Sequence, residues 1–65
     1  MLERFEMDKE YVFRKELYVK TKKAWEEIYG WVDKIDGEKV NVKDAYFGVA
    51  GKREYNIIPA WCEEI

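Results

Sequence analysis

Sixty-five residues with no histidine, serine or glutamine, one cysteine and eleven aromatic side chains exclude most catalytic inventories. The usual proton shuttle, hydroxyl nucleophile and metal-ligand cluster cannot be assembled from that set. Twelve Lys and Arg against fourteen Asp and Glu give a net charge of −2, which argues against wholesale electrostatic binding of nucleic acid because such domains are strongly basic.

The chain opens on Met1-Leu2-Glu3-Arg4-Phe5-Glu6, too charged for a signal peptide. No apolar run approaches the roughly 18 residues of a membrane span. A cytoplasmic location is therefore expected, and no membrane partner. Residues 10–19 read as extended structure, since Tyr11-Val12-Phe13 and Leu17-Tyr18-Val19 are aromatic and β-branched. Arg14-Lys15-Glu16 interrupts the apolar pattern, which leaves two short strands or one bent strand. Thr21 offers a helix N-cap, and Trp25, Ile28 and Tyr29 recur at helical spacing. A helix over residues 22–29 follows, with Gly30 as the left-handed residue that ends it.

Residues 31–43 carry a hairpin pattern around Asp36-Gly37, a pair suited to a type I′ turn. That turn places Trp31, Ile35, Val40 and Val42 on one face, and Val32, Lys34, Lys39, Asn41 and Lys43 on the other. Residues 45–50 form a further strand, Gly51-Lys52 a second tight turn, and residues 53–58 the returning strand. Pro59 closes it, because proline cannot donate to a central ladder. The tail, residues 59–65, suits one helical turn with Pro59 first and with Trp61 and Ile65 on a shared face. The sum is one small, mainly β domain: an SH3-like barrel of about five antiparallel strands with a helical insertion and a closing helical turn.

Three stretches bear a family resemblance: Lys9-Glu10-Tyr11-Val12-Phe13, Ile35-Asp36-Gly37-Glu38-Lys39-Val40, and Ile57-Ile58-Pro59-Ala60-Trp61-Cys62-Glu63-Glu64-Ile65. Their order, with the Ile-x-Pro-x-Trp-Cys ending, resembles small SH3-like proteins encoded by phages and mobile elements of Gram-positive bacteria. The departure is residues 22–31, where a stretch of helical character replaces a simple loop. The resemblance implies an SH3-like fold and no catalytic residues. It also implies a protein that jams a host machine, as anti-CRISPR and other anti-defence inhibitors do.

The remaining chemistry is sparse. Asp33, Asp36 and Glu38 lie near one hairpin, but the turn needs Asp36, and the trio lacks the ligand count of a dedicated cation loop. Cys62 stands beside Glu63 and Glu64, which would raise its pKa, and reads as a buried structural thiol. Gly48 and Gly51 lack the flanking Lys and Ser/Thr of a phosphate-binding loop. No metal and no cofactor are expected.

Surface recognition is left. Residues 14–23 hold five positives (Arg14, Lys15, Lys20, Lys22 and Lys23) against Glu16, a run that either steers an anionic partner or serves as a solvated edge. Candidate contact residues are Tyr18 within that run, the consecutive pair Tyr46 and Phe47, and Lys52, Arg53 and Tyr55 around the second turn. Lys20, Lys22 and Lys23 would steer. The expected function is non-enzymatic protein–protein contact that inhibits or modulates a host factor. The alternatives are a nucleic-acid-binding module that stacks bases on the same tyrosines, and a protein that sequesters a small anionic nucleotide. Spare aromatics and an edge strand also leave room for a twofold homodimer.

Overall fold

The computed structural model describes residues 2–22 and 30–65. Along the chain run β1 (Tyr11–Phe13), α1 (Lys15–Lys22), α2 (Gly30–Ile35), β2 (Asn41–Val42), β3 (Gly48–Ala50), β4 (Tyr55–Ile57), a 3₁₀ turn (Pro59–Trp61) and β5 (Cys62–Glu64). The helical pattern built on Trp25, Ile28 and Tyr29, and Lys23 with it, lies outside the described residues, as does the side chain of Lys22.

Two antiparallel sheets form the domain. In one, β1 pairs β5 with Tyr11 opposite Glu64 and Phe13 opposite Cys62. In the other, β3 lies between β2 and β4, with Val42 opposite Gly48 and Ala50 opposite Tyr55. The free edge of β1 is taken up by the segment leading into β2. There Phe13 N–H donates to the Glu38 carbonyl at 2.9 Å, Gly37 N–H to the Phe13 carbonyl at 2.8 Å, and Val40 N–H to the Tyr11 carbonyl at 2.9 Å. This seam, with an isolated bridge between Val12 and Lys39, joins the two sheets. The mostly β expectation holds at this level. The closed barrel does not, because no ladder joins β4 to β5 among the described residues.

Residues 14–22 are the first correction, since only Tyr11–Phe13 of the expected extended run is a strand. The β propensity of Leu17-Tyr18-Val19 yields to helical spacing: Arg14, Leu17, Tyr18 and Thr21 recur at i, i+3, i+4 and i+7 and are all buried or half-buried, while Glu16, Val19 and Lys20 face outward. The first helical N–H, that of Lys15, donates to Asp36 Oδ1 at 2.9 Å, so a donor that would otherwise be orphaned is satisfied from across the fold. Thr21 is therefore inside a helix rather than capping one.

The second correction is the hairpin. Residues 30–35 are helical, with Val32 and Ile35 buried three apart and Asp33 and Lys34 exposed. Gly30 belongs to this helix. A type I′ turn needs positive φ at both central residues, and here only Gly37 has it, at 85°. Asp36-Gly37 ends α2, with Glu38 N–H donating to the Ile35 carbonyl at 2.8 Å. The turn signal was sound, but it belongs to a helix.

Pro59 does open a helical turn, and Cys62 N–H donates to its carbonyl. That turn lasts three residues, after which the chain becomes β5 and satisfies the outer edge of β1. Trp61 and Ile65 therefore do not share a face. Trp61 is in the core, whereas Ile65 is 69% exposed.

The core consists of Phe5, Tyr11, Phe13, Tyr18, Val32, Ile35, Val40, Ala50, Ile57, Trp61 and Cys62, with Leu2, Trp31, Val42, Tyr55 and Ala60 packed against it. Its centre is aromatic. Phe13 lies 6.2 Å from Tyr18, 6.1 Å from Trp31 and 6.5 Å from Trp61, ring centre to ring centre. In a chain this small, without a disulfide, large rings supply the apolar area that longer domains gather from many aliphatic residues.

Candidate functional site

Of the nine predicted contact residues, the seven whose side chains are described do not form one surface. Tyr18 is 6% exposed and packs edge-on against Trp31 at 5.4 Å and Trp61 at 4.8 Å. Its ring is core, so it leaves the contact set. Lys20 is exposed on α1 but lines neither of the grooves described below. Tyr46 and Phe47 precede β3, while Lys52, Arg53 and Tyr55 follow it, so these two groups stand at opposite ends of the same strand.

Residues 43–47 form a closed loop rather than the start of a strand. Asp44 Oδ1 accepts the Tyr46 N–H at 2.7 Å and the Phe47 N–H at 3.1 Å, while the Phe47 carbonyl accepts the N–H groups of Lys43 and Asp44. Consecutive residues of a strand would alternate between faces. In this loop both rings are exposed, Tyr46 the more so at 67%.

At the other end of β3 a groove of about 590 Å³ opens between α2 and the turn 51–54. Gly30, Trp31, Lys34 and Ile35 line one wall, and Gly51, Lys52, Arg53 and Tyr55 the other, with Glu38 also lining it. Trp31 and Tyr55 stack across it, ring centres 4.8 Å apart and planes inclined by 23°. Gly51 brings the walls together. Its φ is 79°, and a Cβ there would sit 2.7 Å from Ile35 Cγ2 and 3.5 Å from Tyr55 Cδ2. Only glycine lets the turn pass that close to α2, and the close passage sets Lys52 and Arg53 beside the aromatic pair. The turn is longer than the predicted two residues. Glu54 also takes positive φ, 52°, and its N–H donates to the Gly51 carbonyl at 3.1 Å.

Several cations of the described surface are already committed to carboxylates. Lys9 pairs with Glu6 at 3.0 Å and Glu64 at 3.5 Å; Arg14 pairs with Glu16 at 2.7 Å and Glu63 at 3.0 Å. Lys15 pairs with Asp33, and Lys39 with Glu10. Lys34, Lys52 and Arg53 are exposed and make no ion pair among the described residues. The groove therefore presents three uncommitted cations against one carboxylate.

Within the basic run 14–23, Arg14 and Lys15 are already engaged. Arg14 and Lys15 line a smaller groove of about 350 Å³ with Glu16, Val19 and Asp36, and both are held by ion pairs, Arg14 to Glu63 of β5 and Lys15 of α1 to Asp33 of α2. Asp33 and Asp36 are occupied by Lys15 through its ammonium and its N–H, which gives the hairpin carboxylates a structural role. Burial pushes the Cys62 thiol up to about 12, and its Sγ donates to the Ile58 carbonyl at 3.5 Å. Burial, rather than its acidic neighbours, is what holds that thiol neutral. Among the described residues no three His, Cys, Asp or Glu side chains are placed to hold a metal ion, and no helix is long and apolar enough to cross a membrane.

Trp31, Lys34, Ile35 and Glu38 were not among the predicted contact residues. Reading residues 31–35 as a strand put Trp31 and Lys34 on opposite faces, whereas their helical spacing of three brings them together. Comparison with protein-family models, curated proteins and solved structures finds no match.

Proposed function

We propose that this chain is a non-enzymatic binding protein of SH3-like architecture, carried by a phage or mobile element, that inhibits or modulates a host protein by contact. The observation that carries the reading is the groove at the end of β3, where the Trp31–Tyr55 stack adjoins Lys34, Lys52 and Arg53. Half-buried aromatics beside arginine form the kind of surface in which a few residues supply most of the binding energy. The stack is held by α2 and the Gly51 turn, so little ordering remains to be done on binding. The pairing of first strand with last, and the short 3₁₀ turn that joins β4 to β5, support the SH3-like reading. The buried thiol and the occupied carboxylates support a protein that does no chemistry.

Nucleic acid is the second reading, because aromatic rings next to unpaired cations also suit a stacked base and its phosphate. It predicts affinity that falls steeply with added salt.

Capture from a Gram-positive bacterial lysate on the immobilised full chain tests the first reading. A stoichiometric protein is retained by the wild type and by Tyr46→Ala, and lost by Tyr55→Ala and Arg53→Ala. Recovery of no stoichiometric protein, or equal recovery by all four chains, overturns it.

A further inference from the structure

If the groove is the contact surface, its chemistry also says what enters it. We infer that it takes an extended acidic peptide segment of the partner, with an apolar side chain on the Trp31–Tyr55 stack and carboxylates on either side. The inference rests on the reading of the groove given above.

Charge complementarity is the first ground. The cations Lys9, Arg14, Lys15 and Lys39 are already matched by carboxylates of this chain, and the three that line the groove are not. Exposed cations gathered around a concave, partly apolar site raise the local concentration of an anionic ligand.

Shape is the second. The volume of about 590 Å³ falls in the range that holds a small ligand or a few residues, and is far too small for a folded domain. Ile35 and the two rings supply an apolar surface, which a purely ionic ligand would leave exposed.

The third ground separates a peptide from a polyanion. Nucleic acid needs a basic track that follows successive phosphates. Here the three cations of the groove share it with Glu38, on a chain with net charge −2, and the other exposed cations without an ion pair among the described residues, Arg4, Lys20 and Lys43, do not line it. A short segment with two or three carboxylates fits that local field, and a long phosphate backbone does not.

Glu38 then acts as a brake. It lines the groove, makes no ion pair among the described residues, and opposes an acidic ligand. Removing its charge should tighten binding of an acidic peptide, an effect that a merely structural Glu38 would not produce.

The experiment is a titration of the ¹⁵N-labelled full chain, followed by amide chemical shifts. The probes are a blocked hexapeptide alternating aspartate with leucine, its asparagine–leucine counterpart, and a thymidine hexanucleotide. The aspartate peptide is expected to move the amides of Trp31, Lys34, Lys52, Arg53 and Tyr55. The asparagine peptide should bind at least about fivefold more weakly, from the loss of several exposed ion pairs. Glu38→Gln should tighten the aspartate peptide by about two- to fivefold, and Arg53→Gln should loosen it by a similar factor.

Equal binding of the two peptides, shifts produced by the oligonucleotide alone, or no shift at these amides would overturn the inference. The two proposals fail separately. If Tyr55→Ala abolishes capture of the partner while the two peptides bind equally, the contact reading stands and the acidic segment falls. If no partner depends on Tyr55 or Arg53, the groove itself falls.

Discussion

Replacing Tyr18 with alanine tests the sharpest disagreement between the pattern of the chain and its fold. As a contact residue on an exposed strand, Tyr18 would contribute little to stability. In α1 its ring instead fills the space between Phe13, Trp31 and Trp61, with centres 6.2, 5.4 and 4.8 Å away. Removing a buried aromatic costs about 3–5 kcal/mol, from lost transfer energy and the cavity left behind. A domain of 65 residues has only roughly 3–10 kcal/mol of stability to lose, at 0.05–0.15 kcal/mol per residue. With a urea slope near 1 kcal/mol per molar for so small a protein, the midpoint should fall by about 3 M or more, or the variant should be unfolded in buffer. Tyr46→Ala, at an exposed ring, is the internal control and should stay within about 0.5 kcal/mol of wild type. Urea titrations of the three proteins followed by circular dichroism give the answer. A Tyr18→Ala midpoint no lower than that of Tyr46→Ala would refute the placement of α1.

Three further outcomes follow from the same geometry. Gly48→Ala should cost more than Gly37→Ala by thermal unfolding: a Cβ at 48 meets Val40 Cγ1 at 2.7 Å and the Asn41 carbonyl oxygen at 2.8 Å, whereas a Cβ at 37 meets open space and carries only the cost of positive φ, roughly 1 kcal/mol. Asp36→Ala should lower stability by about 0.5–2 kcal/mol in urea, because it strips the acceptor from the first N–H of α1. Cys62 should be slow to react with a disulfide reagent in the native protein and fast in denaturant. Its thiol stays neutral in the fold up to about 12 but ionises from its ordinary 9.0 once unfolded, so its contribution to stability is complete below pH 9.0 and is lost as pH rises from there towards about 12. Wild type should therefore lose its stability margin over Cys62→Ala across that window, and a constant margin would contradict the burial.

Much of the β structure could be read from the chain because it depends on short-range rules. Tyr11-Val12-Phe13 is a strand, Pro59 opens a helical turn, and Gly51 turns the chain between β3 and β4, each for the local reason that its residues supply. What could not be read depends on partners far along the chain. Leu17-Tyr18-Val19 has strand-forming side chains, but Asp36, some twenty residues on, satisfies the start of a helix there. Asp36-Gly37 announces a turn without saying which element it ends. Glu63 and Glu64 look like a helical tail until β1 is seen to need an outer neighbour.

The candidate site followed the same division. Lys52, Arg53 and Tyr55 were visible as a basic–aromatic cluster around a glycine turn. The other wall was hidden, since Trp31 and Lys34 meet only when residues 30–35 are helical. A signal for it was present in Val32 and Ile35, apolar and three apart, but the alternation around Asp36-Gly37 outweighed it.

Site-specific photocrosslinking bears most directly on the central claim that the groove is where this protein meets its partner. A benzoylphenylalanine installed at position 53 in the turn, and in a second chain at exposed position 3, is irradiated in a Gram-positive bacterial lysate. The groove account predicts one protein adduct of defined mass from position 53 and none from position 3. No adduct from position 53, or the same adduct from both positions, would contradict it.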